Sequence, residues 1–320
     1  MCSAYTFSHE LIYLHFENND KLRTVLERFL RRLFTVAVTF ILSLCFIWLC
    51  LRILPGDSSS YLLGDGVNES AITDEMGLGE FLLRAVTFSF GPSAFAGKSV
   101  NELIAGRIVP TLVLASISLA MAVVFTSVLV WLEIRKGIDT AFRLVSLLSY
   151  TLPAFVTALL LMLLFSRLFG YFPSYRSSEP FVSALFPAVN LAFMHSGLLM
   201  RSLHEMIEGE RALPYARFVL SKGATENRML FMHVLSNVAA GVMVLLDQSF
   251  ISLFASSAAV ETLFSYPGLG SLMVSAIARR DSGTIAGMMI ITCMLSSVLS
   301  IAEDLLLSVL DERRGREEVH

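Results

Sequence analysis

A chain of 320 residues with 55% hydrophobic and only 16% charged residues is too apolar for a soluble domain, where charged residues make up about a quarter. The formal net charge of −3 decides nothing about partners, and no basic cluster with interleaved aromatics points to nucleic acid, so no nucleic-acid partner is expected. The apolar residues fall in blocks of the roughly 20 residues that a helix needs to cross a bilayer. An all-α, polytopic membrane protein of about six transmembrane helices is expected.

Residues 1–32 precede the first apolar block. The segment 1–26 is polar and without period, and reads as a cytoplasmic arm or an artefact of start-site choice. Lys21, Arg23, Arg28, Arg31 and Arg32 follow one another up to the first predicted span, 33–54. That run is too long for the apolar core of a cleaved signal, and no A-x-A-like site follows it. Arg31 and Arg32 are explained more simply as a positive-inside flank than as a twin-arginine signal.

The loop predicted over 55–107 opens with Pro55, Gly56 and Asp57, residues of turn chemistry, and carries Asp65, Glu69, Asp74, Glu75 and Glu80. It is too short for an independent enzyme domain and reads as a small helical cap. GPSAFAGKS (91–99) resembles a phosphate-cradling loop, but five residues separate its first glycine from Gly97-Lys98-Ser99 where the motif needs four, and no strand precedes it. A surface loop is expected.

Further spans are predicted over 108–132, 143–169, 181–203, 235–260 and 284–310. Pro153 and Pro187 are candidate kinks, because proline removes a backbone hydrogen bond. HEMIE (204–208) begins like a zinc-protease helix but lacks the second histidine, and His195 reads as a hydrogen-bonded core residue. Cys2, Cys45, Cys50 and Cys293 show no metal-ligand spacing and read as small apolar residues. No metal, cofactor or catalytic residue is assigned.

Basic residues set the orientation. Arg135, Lys136 and Arg143 lie between spans two and three. Arg201, Arg211, Arg217, Lys222 and Arg228 lie between four and five, and Arg313, Arg314 and Arg316 follow the sixth. The opposite side has Arg84, Lys98, Arg107, Arg176, Arg279 and Arg280 spread over longer loops. Both termini, including the tail 311–320, and the loop 204–234 are therefore expected in the cytoplasm, with 55–107 and 261–283 outside.

The charged stretch YARFVLSKGATENRMLFMHVLSN (215–237) is the least expected feature of so apolar a chain. Tyr215, Phe218, Val219 and the stem of Lys222 recur at helical spacing. Gly223 suits the left-handed conformation that closes a helix, and Thr225 suits the cap of the next. The expectation is a helix–glycine–helix elbow with an apolar stripe that finds no partner in its own chain. In the fifth span, Asp247 precedes Gln248, Ser249 and Ser252. A carboxylate at that depth costs about 2.5–3.5 kcal/mol on insertion scales. It reads either as a buried acid tying helices together or as the lining of a solute path.

The elbow resembles the cytoplasmic coupling loop of bacterial ABC-importer permease subunits, most closely the peptide-permease branch. ILPGD (53–57) is similar to that family's I-P-G-D, and ETLFSYPGLG (261–270) to its E-x-x-F-S-x-P-G-L-G. ARRD (278–281), Asp304-Leu, Asp311 and Arg313 match its ending. The resemblance covers roughly 30–314. It implies a type I ABC importer permease fold, in the bacterial inner membrane, that carries di- or oligopeptides; nickel chelates or glutathione are alternative cargoes for the same machinery. It implies as partners a second homologous permease, two ATPase subunits and a periplasmic or lipoprotein solute-binding protein, besides membrane lipid. ATP would be hydrolysed by other chains, so the subunit is not itself an enzyme.

By this resemblance Tyr215, Arg217, Phe218, Val219, Lys222, Gly223, Ala224 and Thr225 are assigned to ATPase coupling. Asp247, Ser249, Glu261, Phe264, Tyr266, Pro267, Gly268, Gly270 and Asp281 are assigned to the translocation path or to contact with the binding protein. The chain departs from the family pattern at Phe218-Val219-Leu220, where arginine-containing residues are usual, which implies a greasier ATPase groove. Gly241 replaces a proline, and Ser249, Ile251 and Ser256 replace a glutamine and glycines. Asp247 replaces a small residue. A proton-coupled carrier using Asp247 is the reading from another class, but no pair of broken helices at matching positions supports it. An intramembrane hydrolase lacks a nucleophile–base pair.

Overall fold

The computed structural model describes residues 30–31, 33–50, 52–53, 77–93, 97–170, 173–176 and 180–317, without the side chains of 180 and 303–317. The expectations for the arm up to residue 29, for the loop acids Asp65, Glu69, Asp74 and Glu75, and for Pro55-Gly56-Asp57 lie outside these residues. The described residues fall into two compact units, one within Met1–Phe46 and Cys293–His320, the other within Ile47–Thr292.

The described secondary structure is helical apart from one isolated β-bridge, Pro92 with Ser99. In chain order the helices are α1 (Leu33–Cys50), α2 (Leu78–Thr87), α3 (Val100–Lys136), α4 (Asp139–Thr151), α5 (Ala154–Phe169), α6 (Pro180–Ala212), α7 (Pro214–Ser221), α8 (Glu226–Met229), α9 (Leu235–Leu263), α10 (Leu269–Ala278) and α11 (Ser282–Glu317). A single π-helical turn, Leu230–Val234, joins α8 to α9. Five stretches are long and apolar enough to cross a membrane, and the α4–α5 pair makes a sixth if its two bent halves are one span. The protein is thus an all-α polytopic membrane protein.

Three expectations need correction. The third predicted span, 143–169, is two helices bent by 110°, because Leu152 is extended and Pro153 follows it; Asn190 Nδ2 donates to the Ala154 carbonyl beside the break, at 3.2 Å. Pro187, by contrast, lies within an α6 that runs on past it. The helix that carries the second predicted span, 108–132, starts before it. Ser99 caps α3 by accepting from the Glu102 amide at 3.2 Å, so 100–107 are helix, not loop. Its 37 residues extend about 55 Å, well beyond a hydrocarbon core of about 30 Å. Finally, the stem of GPSAFAGKS does not lie free on the surface. Ser93 is buried, its amide donates to the Lys98 carbonyl at 2.9 Å, and its hydroxyl donates to Asp281 Oδ2 at 2.5 Å.

In the unit Ile47–Thr292, α3, α4, α6 and α9 meet through small residues. Ala115, Ser118, Ala122 and Thr126 of α3 and Ala184, Ala188, Ala192 and Ser196 of α6 are all buried. Small side chains let helix backbones approach closely inside a membrane, where no hydrophobic drive separates helix from lipid. α6 approaches α4 closely at Gly197, where a Cβ would lie 2.8 Å from the Ser146 carbonyl oxygen and the Ser149 Cβ. The large apolar side chains point the other way. Phe155, Leu159, Leu160, Leu163 and Leu164 of α5 are exposed, as expected of a lipid-facing surface.

Candidate functional site: an elbow, a locked turn and a polar face

The elbow forms as its residues dictate. Pro214 opens α7 at a position where its missing N–H is no loss. Lys222 ends it, and Gly223 takes φ +86°, which an L side chain adopts only with strain. Nothing lies within 4 Å of where a Cβ on Gly223 would be, so glycine is required there by the backbone alone. Thr225 Oγ1 accepts from the Arg228 amide at 3.4 Å and caps α8.

The expected apolar stripe divides in two, and the elbow does have a partner in its own chain. Ala216 is buried, with Tyr215 and Val219 beside it, against Val130, Phe142, Met200, Ile207, Met229, Leu230 and Val234. The Tyr215 hydroxyl donates to Glu210 Oε2 at 2.5 Å, and Asn237 Nδ2 donates to both, at 3.0 Å to Tyr215 Oη and 3.1 Å to Glu210 Oε2. Burial, then the Glu210 carboxylate, holds the Tyr215 phenol above its ordinary pKa. Arg135 of α3 also donates to Asn227 Oδ1. The elbow is fastened to α3, α6 and α9. Phe218 instead faces out at 58% exposure, and Leu213 and Leu220 are exposed with it. The Lys222 ammonium lies 4.4 Å from the centre of the Phe218 ring. Arg217 and Ser221 are exposed as well. Outside the elbow, His204 Nδ1 of α6 lies 3.1 Å from Glu133 Oε2 of α3.

At the far end of α9 the ETLFSYPGLG stretch folds into a turn around Glu261, which is fully buried. Oε1 accepts from Thr111 Oγ1 at 2.9 Å and from Ser257 Oγ at 3.0 Å. Oε2 accepts from the Ser271 amide at 2.9 Å. A buried carboxyl group is tolerated only when hydrogen bonded in this way. Thr111 Oγ1 in turn accepts from the Leu269 amide at 2.7 Å, and Arg107 Nη1 donates to Ser271 Oγ at 3.1 Å. One side chain therefore holds α3, α9 and the start of α10 together.

The glycines of that turn are steric necessities. A Cβ on Gly268 would lie 2.4 Å from the Glu261 carboxyl, and one on Gly270 2.4 Å from Ala258 Cα. Phe264 and Tyr266 are buried and Pro267 half-buried. The Tyr266 hydroxyl donates to the Pro110 carbonyl at 3.2 Å, and its ring meets that of Tyr175 edge-on at 5.5 Å. Burial pushes the Tyr266 phenol up to about 12. Asp281 belongs to a second cluster. It caps α11 by accepting from the Thr284 amide at 3.2 Å and hydroxyl at 2.8 Å, besides Ser93. The side chains of Glu261, Phe264, Tyr266 and Asp281 are thus enclosed by the turns they shape rather than displayed on them.

Within α9 the structure separates Asp247 from Ser249. Ser249 is buried, whereas Asp247 is half-buried, and no described residue makes a hydrogen bond or ion pair with it. His195 of α6 meets Ser256 of α9, Nε2 to Oγ, at 3.1 Å, in keeping with a hydrogen-bonded core residue. Sequence reasoning missed the partners Thr111, Ser257, Ser271, Ser93 and Thr284. A hydroxyl in an apolar run was the one local sign of them, and it does not say what it bonds.

Comparison with known proteins agrees with this architecture. Residues 130–316 match the family described as binding-protein-dependent transport system inner membrane component. A protein of Brucella abortus named as a peptide transport system permease is 29% identical over 289 residues, 83% of this chain and 91% of its own length. One of Sinorhizobium fredii, named as a peptide ABC transporter permease, is 28% identical over 310 residues, 89% and 97% of the two chains. One of Salmonella choleraesuis, named as a glutathione transport system permease, is 24% identical over 303 residues, 90% and 98%.

Proposed function

The chain belongs to the family of inner membrane components of binding-protein-dependent transport systems, and from that premise we propose that it is the membrane-spanning subunit of an ATP-driven peptide importer. The observation that carries the mechanism is the divided elbow. Its inner face, Ala216 with Tyr215 and Val219, is fixed to α3, α4, α6 and the root of α9, while Leu213, Phe218 and Leu220 stand exposed. A short helix fixed on one side and gripped on the other passes on rigid-body motion, which a loop would absorb.

In this reading the exposed face of α7 seats in a groove of a separate ATPase subunit, one of two, and ATP is hydrolysed there. Lys222 and Arg217 border the seat, and Gly223, Ala224 and Thr225 set the angle between α7 and α8. A second, homologous permease completes the path, and a solute-binding protein delivers cargo at the α9–α10 end. The elbow and both termini face the cytoplasm of a bacterial cell, as the distribution of Lys and Arg suggests. Glu261, Gly268, Gly270, Tyr266 and Asp281 serve by holding the outer turns in shape, and Pro267 and the exposed Ser265 are the parts of the first turn left for contact.

Peptide is favoured as cargo by the names of the Brucella and Sinorhizobium relatives, and glutathione, itself a small peptide, by the Salmonella one. Cells lacking the chain should lose ATP-dependent uptake of labelled di- and oligopeptides and regain it when the chain is restored. Peptide uptake unaffected by the deletion, with loss of glutathione or nickel-chelate uptake in its place, would overturn the peptide assignment.

A further inference from the structure

The face that α9 leaves uncovered differs in kind from those of its neighbours. Beyond its first turn the exposed residues of α9 are Val244, Gln248, Ser252, Ala255, Ala259 and Thr262, and they fall on one side of a helix that turns roughly 100° per residue. Only Val244 among them is a large hydrophobe. On α5, by contrast, the residues exposed between Ala154 and Leu164 are Phe155, Leu159, Leu160, Leu163 and Leu164, all of them large hydrophobes. A helix face that met lipid would gain nothing from Gln248 and Ser252, because amide and hydroxyl groups lose their water there without replacement.

Asp247 lies at the edge of this face, near the midpoint of the 29-residue α9. Its carboxylate is half-buried and lacks a hydrogen-bond or ionic partner among the described residues. At that depth a carboxylate must meet water, a proton or a cation.

We propose that Asp247 selects for positive charge in the cargo, meeting the ammonium or guanidinium group of a basic peptide as it passes along the Gln248–Ser252 face. This rests on the reading of the chain as the membrane subunit of a peptide importer. A fixed positive charge on the second permease is the competing partner, but it would place a second ion at the same depth and leave no use for the polar residues beside Asp247.

The test compares three tripeptides of equal length, one with lysine, one neutral and one with glutamate, in uptake by the complete transporter. Asp247→Asn should lower uptake of the lysine peptide about tenfold relative to the neutral one, as expected for losing one charged hydrogen bond. The amount of assembled complex should be unchanged, and Asp247→Glu should retain the preference. An equal fall for all three peptides, with less assembled complex, would assign Asp247 to subunit packing and overturn the inference. An unchanged ratio would overturn it too. Wild-type transport of peptides without regard to charge would defeat this inference alone, whereas failure to transport any of the three would defeat the peptide reading with it.

Discussion

Replacing Gly223 with valine is expected to reduce ATP-driven uptake about tenfold or more while leaving membrane insertion intact. The residue sits at φ +86°, where an L residue bears about 1–2 kcal/mol of strain, and more if β-branched. Because a Cβ there would touch nothing, the substitution alters the angle of the elbow and not its contacts. A strain of 1.4 kcal/mol, released by re-angling α7, is worth about a factor of ten in docked population. The series should rank Gly above Asn, Asn above Ala and Ala above Val, following tolerance for the left-handed region. Replacing Lys222-Gly223 with Asp-Pro should abolish uptake. Wild-type transport by the valine variant would show that the elbow's geometry does not matter to coupling.

The second large effect is expected at the locked turn. Glu261→Ala strands the Ser271 amide and removes the acceptor shared by Thr111 and Ser257. Loss of one buried acceptor group, with the cavity it leaves, costs on the order of 3 kcal/mol. Gly268→Ala should cost a comparable amount for another reason. Its backbone, at φ −105° and ψ −179°, is open to any residue, but the new Cβ would collide with the Glu261 carboxyl. The two effects should therefore be strongly non-additive, since removing the carboxyl clears the space that the methyl group needs. Thermal unfolding midpoints of the purified single and double variants measure this. Additive losses would mean that the contact between Gly268 and Glu261 does not limit stability.

Much of this protein can be read from local chemistry. The closure of α7 at Gly223 and the capping of α8 by Thr225 follow from residue type and spacing, and the spans follow from uninterrupted apolar length. What could not be read depends on partners distant in the chain. The periodicity of 215–222 gives a stripe, but α7 is apolar at Tyr215, Ala216, Phe218, Val219 and Leu220, on more than one side. Only the presence of Met200 and Ile207 decides that Ala216 goes in and Phe218 out. Pro153 marked a break without its size, because a proline in an apolar segment is compatible with a kink of any angle. The ETLFSYPGLG stretch stood out by its composition, yet Glu261 finds Thr111 from 150 residues away and Asp281 finds Ser93 from 188. No spacing rule reaches so far.

Asp247 is the opposite case: the sequence exposed its oddity, and the structure supplied its surroundings. A carboxylate among apolar residues was visible at once, with Gln248, Ser249 and Ser252 after it. In the helix these neighbours divide, Ser249 into the protein interior and Asp247 to the rim of an uncovered polar face. Of the three, Gln248 and Ser252 stay on that face.

The most direct measurement is photo-crosslinking from position 221 on the exposed flank of α7, in native membranes of cells actively importing peptide. A photoreactive residue replacing Ser221 should capture an ATP-hydrolysing subunit, and one replacing Leu163 on the lipid-facing side of α5 should not. If position 221 captures no such subunit while uptake proceeds normally, the elbow is not where the motor holds this protein.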